Sequence, residues 1–157
     1  MSNEKYDLCP TYINSIVVPG TVSNEDLYDC AKFRSSSRLP ALTFYDKEST
    51  SSLWRCSQPL TGMMNSRRKG DEYYLRMIGF CSQNPSKTVF IQDSRPQMNA
   101  YGNRLKGGGF EDCGPGTNYP ECRLSFANVE NIHAVTKSVD KMFQIGLTKS
   151  ANQRDTS

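Results

Sequence analysis

No apolar run in this chain approaches the ~20 residues that a membrane-crossing helix needs, so no transmembrane segment is expected. The N-terminal Met1-Ser2-Asn3-Glu4 has neither the basic nor the apolar region of a signal peptide. The six cysteines, Cys9, Cys30, Cys56, Cys81, Cys113 and Cys122, are widely spread and form no C-x-x-C pair. Without a secretory signal, reduced thiols and a cytoplasmic location are expected. There is one histidine, His133. A zinc site built from it and scattered cysteines would lack the usual ligand spacing. A Ser-His-Asp triad would have to use the same residue, and no G-x-S-x-G elbow is present to offer the serine. No metal or cofactor is implied. The net charge is only +3, and no basic run interleaves with aromatics, so a nucleic-acid partner is not expected. Arg67-Arg68-Lys69 is a short basic cluster that reads as a solvated loop rather than a lipid site.

What is present fits one domain's worth of chain, 157 residues with 36% hydrophobic content. A mean hydropathy of −0.62 is polar for a self-sufficient globule. It suits a piece whose remaining core partners lie elsewhere. Residues 1–5 are expected to be loose. Tyr12 to Val18 reads as a strand stopped by Pro19-Gly20. Ser23 or Asn24 can cap a helix through about Phe33, with Glu25 and Asp26 in its first turn. Ala41–Tyr45 and Ser52–Cys56 flank a polar turn and predict a hairpin, with the single tryptophan, Trp54, packing. Thr61 to Gly70 reads as a mobile polar loop. Tyr74, Leu75, Ile78 and Cys81 fall at helical spacing in a helix from Asp71, broken at Asn84-Pro85. Val135, Val139, Met142 and Phe143 make the apolar face of a last helix, by default a core face, and Gly146–Ser157 is expected to be a disordered tail. The order alternates strands and helices. It predicts an α/β layer with a mostly parallel central sheet and an antiparallel edge hairpin.

The stretch from Thr88 to Asn131 carries the chemistry. Thr88 to Gln92 and Leu124 to Ala127 read as neighbouring parallel strands, each followed by a polar cluster. Ligands of open α/β sheets collect at such carboxyl ends. Between the strands lie Asn103, Lys106 and the triple glycine Gly107-Gly108-Gly109. Consecutive glycines let backbone N–H groups approach an anion. Asparagine offers two donors and two acceptor sites, and lysine a point charge. Such a set suits a phosphate on a polyhydroxylated ring, with Asn103 and Asn131 sharing one concave site and the glycines on its rim. Equally, the glycines can simply close the preceding helix, and Asn131 can simply cap the helix that follows.

Five ordered motifs between about residues 3 and 145 resemble the myotubularin family of phosphoinositide 3-phosphatases. They are Asn3-Glu4-Lys5-Tyr6-Asp7-Leu8-Cys9-Pro10-Thr11-Tyr12; Phe33-Arg34-Ser35 with Arg38-Leu39-Pro40-Ala41-Leu42; Arg55-Cys56-Ser57-Gln58-Pro59; the run from Asp93-Ser94-Arg95-Pro96 through Gly107-Gly108-Gly109-Phe110-Glu111; and Asn131-Ile132-His133. The turn-rich Cys113 to Pro120 segment departs from the family pattern, and Glu130 stands where the family often has histidine. The resemblance implies a protein-tyrosine-phosphatase-like fold for residues 6–145. It also implies action on phosphatidylinositol 3-phosphate and 3,5-bisphosphate at endosomal membranes, and possible pairing with a family member as homo- or heterodimer. Asn103, Asn131 and the Ile132 backbone would then meet the inositol headgroup. Lys106 is added from its chemistry alone.

Family members attack phosphorus with the cysteine of a C-x5-R loop. Here the residues six positions beyond the cysteines are Ser15, Ser36, Gly62, Lys87, Tyr119 and Asn128, and none is arginine. The resemblance places that loop beyond Asn131-Ile132-His133. The expectation is therefore a truncated, inactive form. The alternative is a non-catalytic, pseudophosphatase-like module that acts by pairing with an active relative.

Overall fold

A computed structural model describes residues 1, 3–83 and 85–154. The elements are α1 (Asn24–Phe33), a 3-10 turn (Ser35–Ser37), β1 (Ala41–Tyr45), β2 (Ser52–Arg55), α2 (Lys69–Phe80), β3 (Val89–Asp93), α3 (Gln97–Arg104), β4 (Cys122–Phe126) and α4 (Ile132–Arg154). Ser23 caps α1, its hydroxyl accepting from the Asp26 N–H at 3.1 Å. Leu27, Cys30 and Ala31 on α1 meet Tyr74, Leu75 and Ile78 on α2, and Leu8, Leu39 and Tyr119 close the same core. Trp54 packs against it from the hairpin.

The strands form two separate two-stranded sheets, not one layer with a hairpin at its edge. β1 and β2 pair antiparallel with a register shift between Leu42 and Phe44. β3 and β4 pair parallel, in register from Val89 opposite Cys122 to Asp93 opposite Phe126. The parallel neighbourhood predicted for these strands is present; a broader sheet is not found among the described residues.

Tyr12 to Val18 is not a strand. Its backbone bonds go to scattered partners: Ile16 exchanges two bonds with Met1, and Val17 O accepts from Leu42 N–H at 3.1 Å. Residues 1–5, expected loose, are tied at Asn3, which is only 3% exposed. Its Nδ2 donates to Cys9 O (2.9 Å) and Ile13 O (3.1 Å), and its Oδ1 accepts from Cys9 N–H. A buried amide satisfied on both sides fixes a terminus that hydropathy leaves free. Thr61, placed in a mobile loop from sequence, is likewise buried and reaches Gly108 O. Arg67 and Arg68 pair with Glu72 and Asp29 at the surface. The predicted break at Asn84-Pro85 falls partly outside the described residues; α2 has already ended at Phe80.

α4 runs through Gly146 to Arg154, where the sequence predicts a disordered tail; residues 155–157 lie outside the described residues. Gly146 lowers helix propensity but does not stop the helix. The apolar face predicted as core is not buried: Met142 and Phe143 are 67% and 66% exposed. An amphipathic pattern says that a face favours burial, not that this chain covers it.

Candidate functional site

The carboxyl ends of β3 and β4 are stitched together beyond the ladder. Ala127 N–H donates to Asp93 O at 2.7 Å, and Val129 N–H to Ser94 O at 2.8 Å. From this seam the chain enters α3 after β3 and α4 after β4. Between α3 and the residues leading into α4 lies a cleft of about 570 Å³ whose lining includes Ser94, Arg95, Asn99, Asn103, Lys106, Glu130 and Asn131. Asn103, Lys106 and Asn131, selected from sequence, line this one cleft. Ile132 and the three glycines are not among its lining residues.

The two asparagines differ in what they leave available. The half-buried Asn103 side chain makes no hydrogen bond among the described residues. Asn131 Oδ1 accepts from Ala134 N–H at 3.2 Å and so caps α4, while its Nδ2 makes no bond among the described residues. Capping uses only the oxygen of this amide and leaves its NH₂ available. Lys106 is exposed and in no ion pair among the described residues. Glu130 adds the one carboxylate of the lining.

The glycine loop has its N–H groups committed. Gly107 N–H donates to Arg104 O (3.1 Å), Gly108 N–H to Asn103 O (2.9 Å) and Gly109 N–H to Gln58 Oε1 (3.2 Å). The first two close the last turn of α3 in the manner of a glycine C-cap. This geometry fits the helix-closing reading of Gly107–Gly109 and leaves no free N–H array for an anion.

Arg95 holds this arrangement from inside. Its guanidinium donates to both Asp93 oxygens (3.0 and 2.6 Å), to Gly109 O (2.8 Å) and to Gln58 Oε1. The end of β3, the Arg55–Pro59 motif and the glycine loop are thus joined by one side chain. Phe110 joins α3 to β4: its ring stands edge-on to Tyr101 (5.0 Å) and to Phe126 (5.5 Å). Arg104 lies over the Phe110 ring at 4.1 Å. The spacing between Asn103 and Asn131 rests on these contacts.

Sequence reasoning did not find the buried cluster beneath the site. Arg34 is 1% exposed, and its Nε and Nη2 donate to the two oxygens of Asp71, each at 2.7 Å. Its Nη1 donates to Glu111 and to Ser57 O. Asp71 also accepts from Tyr119 OH (2.7 Å) and Cys30 Sγ (3.1 Å). Burial alone lowers the Arg34 pKa; Asp71 and Glu111 reverse that and hold it well above its ordinary value. Burial, then the Asp71 charge, pushes Tyr119 and Cys30 up, so both stay protonated donors. The available signal was that Arg34, Ser57 and Glu111 each sit in one of the motifs; Asp71 and Tyr119 carried none.

The profile of the myotubularin-like phosphatase domain matches residues 1–157. The chain is 42% identical over 143 residues to a protein named myotubularin from Xenopus tropicalis, covering 91% of this chain and 23% of that one. It is 41% identical over 143 residues to phosphatidylinositol-3,5-bisphosphate 3-phosphatase MTMR2 from Bos taurus, covering 91% and 22%. Against phosphatidylinositol-3,5-bisphosphate 3-phosphatase MTMR6 from Homo sapiens it is 34% identical over 155 residues, covering 98% and 24%. The chain thus spans about a quarter of the length of these relatives.

Proposed function

This chain belongs to the myotubularin-like phosphatase family, and from that premise we propose that its cleft recognises the inositol headgroup of a 3-phosphorylated phosphoinositide without hydrolysing it. The observation that carries the reading is the convergence of Asn103, Lys106 and Asn131 on one cleft at the carboxyl ends of the parallel pair. The asparagine amides suit ring hydroxyls, and Lys106 with the N-terminus of α4 beside Asn131 suits a phosphate. Relatives carry names of phosphatidylinositol-3,5-bisphosphate 3-phosphatases, which supports the substrate class. On this reading the β3–β4 pair is part of a protein-tyrosine-phosphatase-like sheet.

Headgroup contact in this cleft is weak, because few groups make it. Each neutral hydrogen bond contributes about 0.5–1.5 kcal/mol. Titration with short-chain phosphatidylinositol 3-phosphate, followed by side-chain amide NMR, should move the Asn103 and Asn131 NH₂ resonances. Asn103→Ala should weaken binding about two- to tenfold. Asn131→Ser separates the two roles of that residue, since serine caps a helix about as well as asparagine but has no amide. It should weaken binding with the α4 helicity unchanged. Glu130→Gln should do the opposite. A carboxylate about 4 Å from a phosphate costs about 1 kcal/mol even in water, so its neutral isostere should bind several-fold tighter. Resonances that stay put at millimolar ligand would end the headgroup reading.

No turnover is expected from the purified chain. The covalent route needs a thiolate with an arginine to hold the transferring phosphate, and no cysteine here is followed by arginine six positions on. Phosphate release from phosphatidylinositol 3-phosphate that disappears when one of the cysteines is changed to serine would contradict this. A second reading, a non-catalytic module that pairs with another family member, is supported by the uncovered apolar face of α4.

A further inference from the structure

The loop between the glycine segment and β4 holds two cysteines that the headgroup reading does not use. Tyr119 is its hub. Its N–H donates to Asp112 O at 3.1 Å, its carbonyl accepts from Gly114 N–H at 3.2 Å, and the same carbonyl accepts from Cys122 N–H at 3.1 Å. These bonds set Cys113 opposite Tyr119 in a parallel bridge and Cys122 one turn beyond it. The hub itself is fixed, because the Tyr119 hydroxyl is bound to Asp71. Thr117 tightens the intervening turn by donating from its N–H and its hydroxyl to Gly114 O, at 3.1 and 2.7 Å. Folded this way, Cys113 packs against the buried cluster that contains Cys122. Both thiols are free, and both line a separate cleft of about 650 Å³ through which a small oxidant can enter.

We propose that Cys113 and Cys122 form a redox pair that closes to an intrachain disulfide when a hydroperoxide oxidises it. Disulfide geometry is demanding, and the loop has room to meet it. A Cβ at Gly114 or Gly116 would touch nothing within 4 Å, and both glycines already hold positive φ, +124° and +80°. One of the two sulfurs, as thiolate, takes one peroxide oxygen; the O–O bond breaks, the departing oxygen collects the thiol proton, and water leaves a sulfenic acid on that cysteine. The other cysteine sulfur then attacks the sulfenic sulfur. The S–O bond breaks, and hydroxide leaves as a second water with the second thiol's proton. Two thiols are oxidised to one disulfide while hydrogen peroxide is reduced to two waters. The product would tie the loop to the first residue of β4.

The sequence makes the test direct. No lysine or arginine lies between Lys106 and Arg123, so trypsin releases both cysteines in the single peptide Gly107–Arg123. The full chain is treated with hydrogen peroxide, unfolded, alkylated and digested. The proposal expects this peptide unalkylated and lighter by two hydrogens, and doubly alkylated again after dithiothreitol. Cys113→Ser, at the less buried position, should abolish the lighter peptide and leave Cys122 open to alkylation or overoxidation. A peptide that stays doubly alkylated at peroxide doses that oxidise the exposed Cys81, or mixed pairs with other cysteines, would overturn it. The readout does not involve headgroup binding, so either proposal can fail alone.

Discussion

Arg34→Ala is expected to cost about 3–5 kcal/mol of folding stability, the usual result of removing one partner from a buried ion pair. The change leaves Asp71, which is fully buried, facing Tyr119 and Cys30 without a cation, and leaves Glu111 unpaired. A native domain holds only about 5–15 kcal/mol, so a large share of this chain's stability would go. Urea unfolding followed by circular dichroism measures it. A loss under ~1 kcal/mol would mean that the cluster is not closed in solution. The double variant Arg34→Met/Asp71→Leu adds a control. When both charges are replaced by apolar groups, the desolvation cost disappears with the pairing, so the double variant should lose less than the sum of Arg34→Met and Asp71→Leu made separately.

That cluster also explains why distant motifs converge. Arg34 follows α1, Ser57 follows β2, Asp71 opens α2, and Glu111 follows the glycine loop. One guanidinium, with donors in a rigid fork, carried by the residue after α1, meets the side chains of Asp71 and Glu111 and the backbone of Ser57. Arg95 repeats the device closer to the cleft. The cleft residues thus stand on a frame held by internally paired charges. Asn103, Lys106 and the Asn131 Nδ2 remain among the donors the cleft has available.

Local order was legible where local chemistry decides it. Ser23 capping α1, the hairpin of β1 and β2, and the parallel pairing of β3 with β4 follow from caps, alternation and the helix placed between strands. That Asn103, Lys106 and Asn131 share a cleft follows from their places after those parallel strands. Long-range polar partners were not legible. Nothing near Arg34 or Asn3 in sequence says that one will meet Asp71 or that the other will hold Cys9 and Ile13. For the glycine loop the sequence offered both an approach to an anion and the closing of α3, and the observed N–H bonds fit the second.

Gly109→Ala should therefore damage the fold more than a change to Asn103, Lys106 or Asn131 in the cleft. A Cβ there would come within 1.9 Å of Thr61 Oγ1, on a backbone whose φ of +156° side chains rarely adopt. Overpacking costs about 1–3 kcal/mol and a strained backbone position about 1–3 more. The loop must shift to relieve them. Shifting it pulls Gly109 O from Arg95 and Gly109 N–H from Gln58, which frees the end of α3. Gly102→Ala is the internal comparison. It lies within α3 with nothing within 4 Å of its added Cβ, and alanine in a helix interior gains roughly 0.5–1 kcal/mol over glycine. Thermal melts of the two variants should move in opposite directions. Adding Thr61→Ala to Gly109→Ala should recover part of the loss by removing the oxygen that clashes, while the strain from φ remains. If Gly109→Ala melts with the parent protein, the loop is not held against Thr61 and Gln58, and the support argued for Asn103 fails with it.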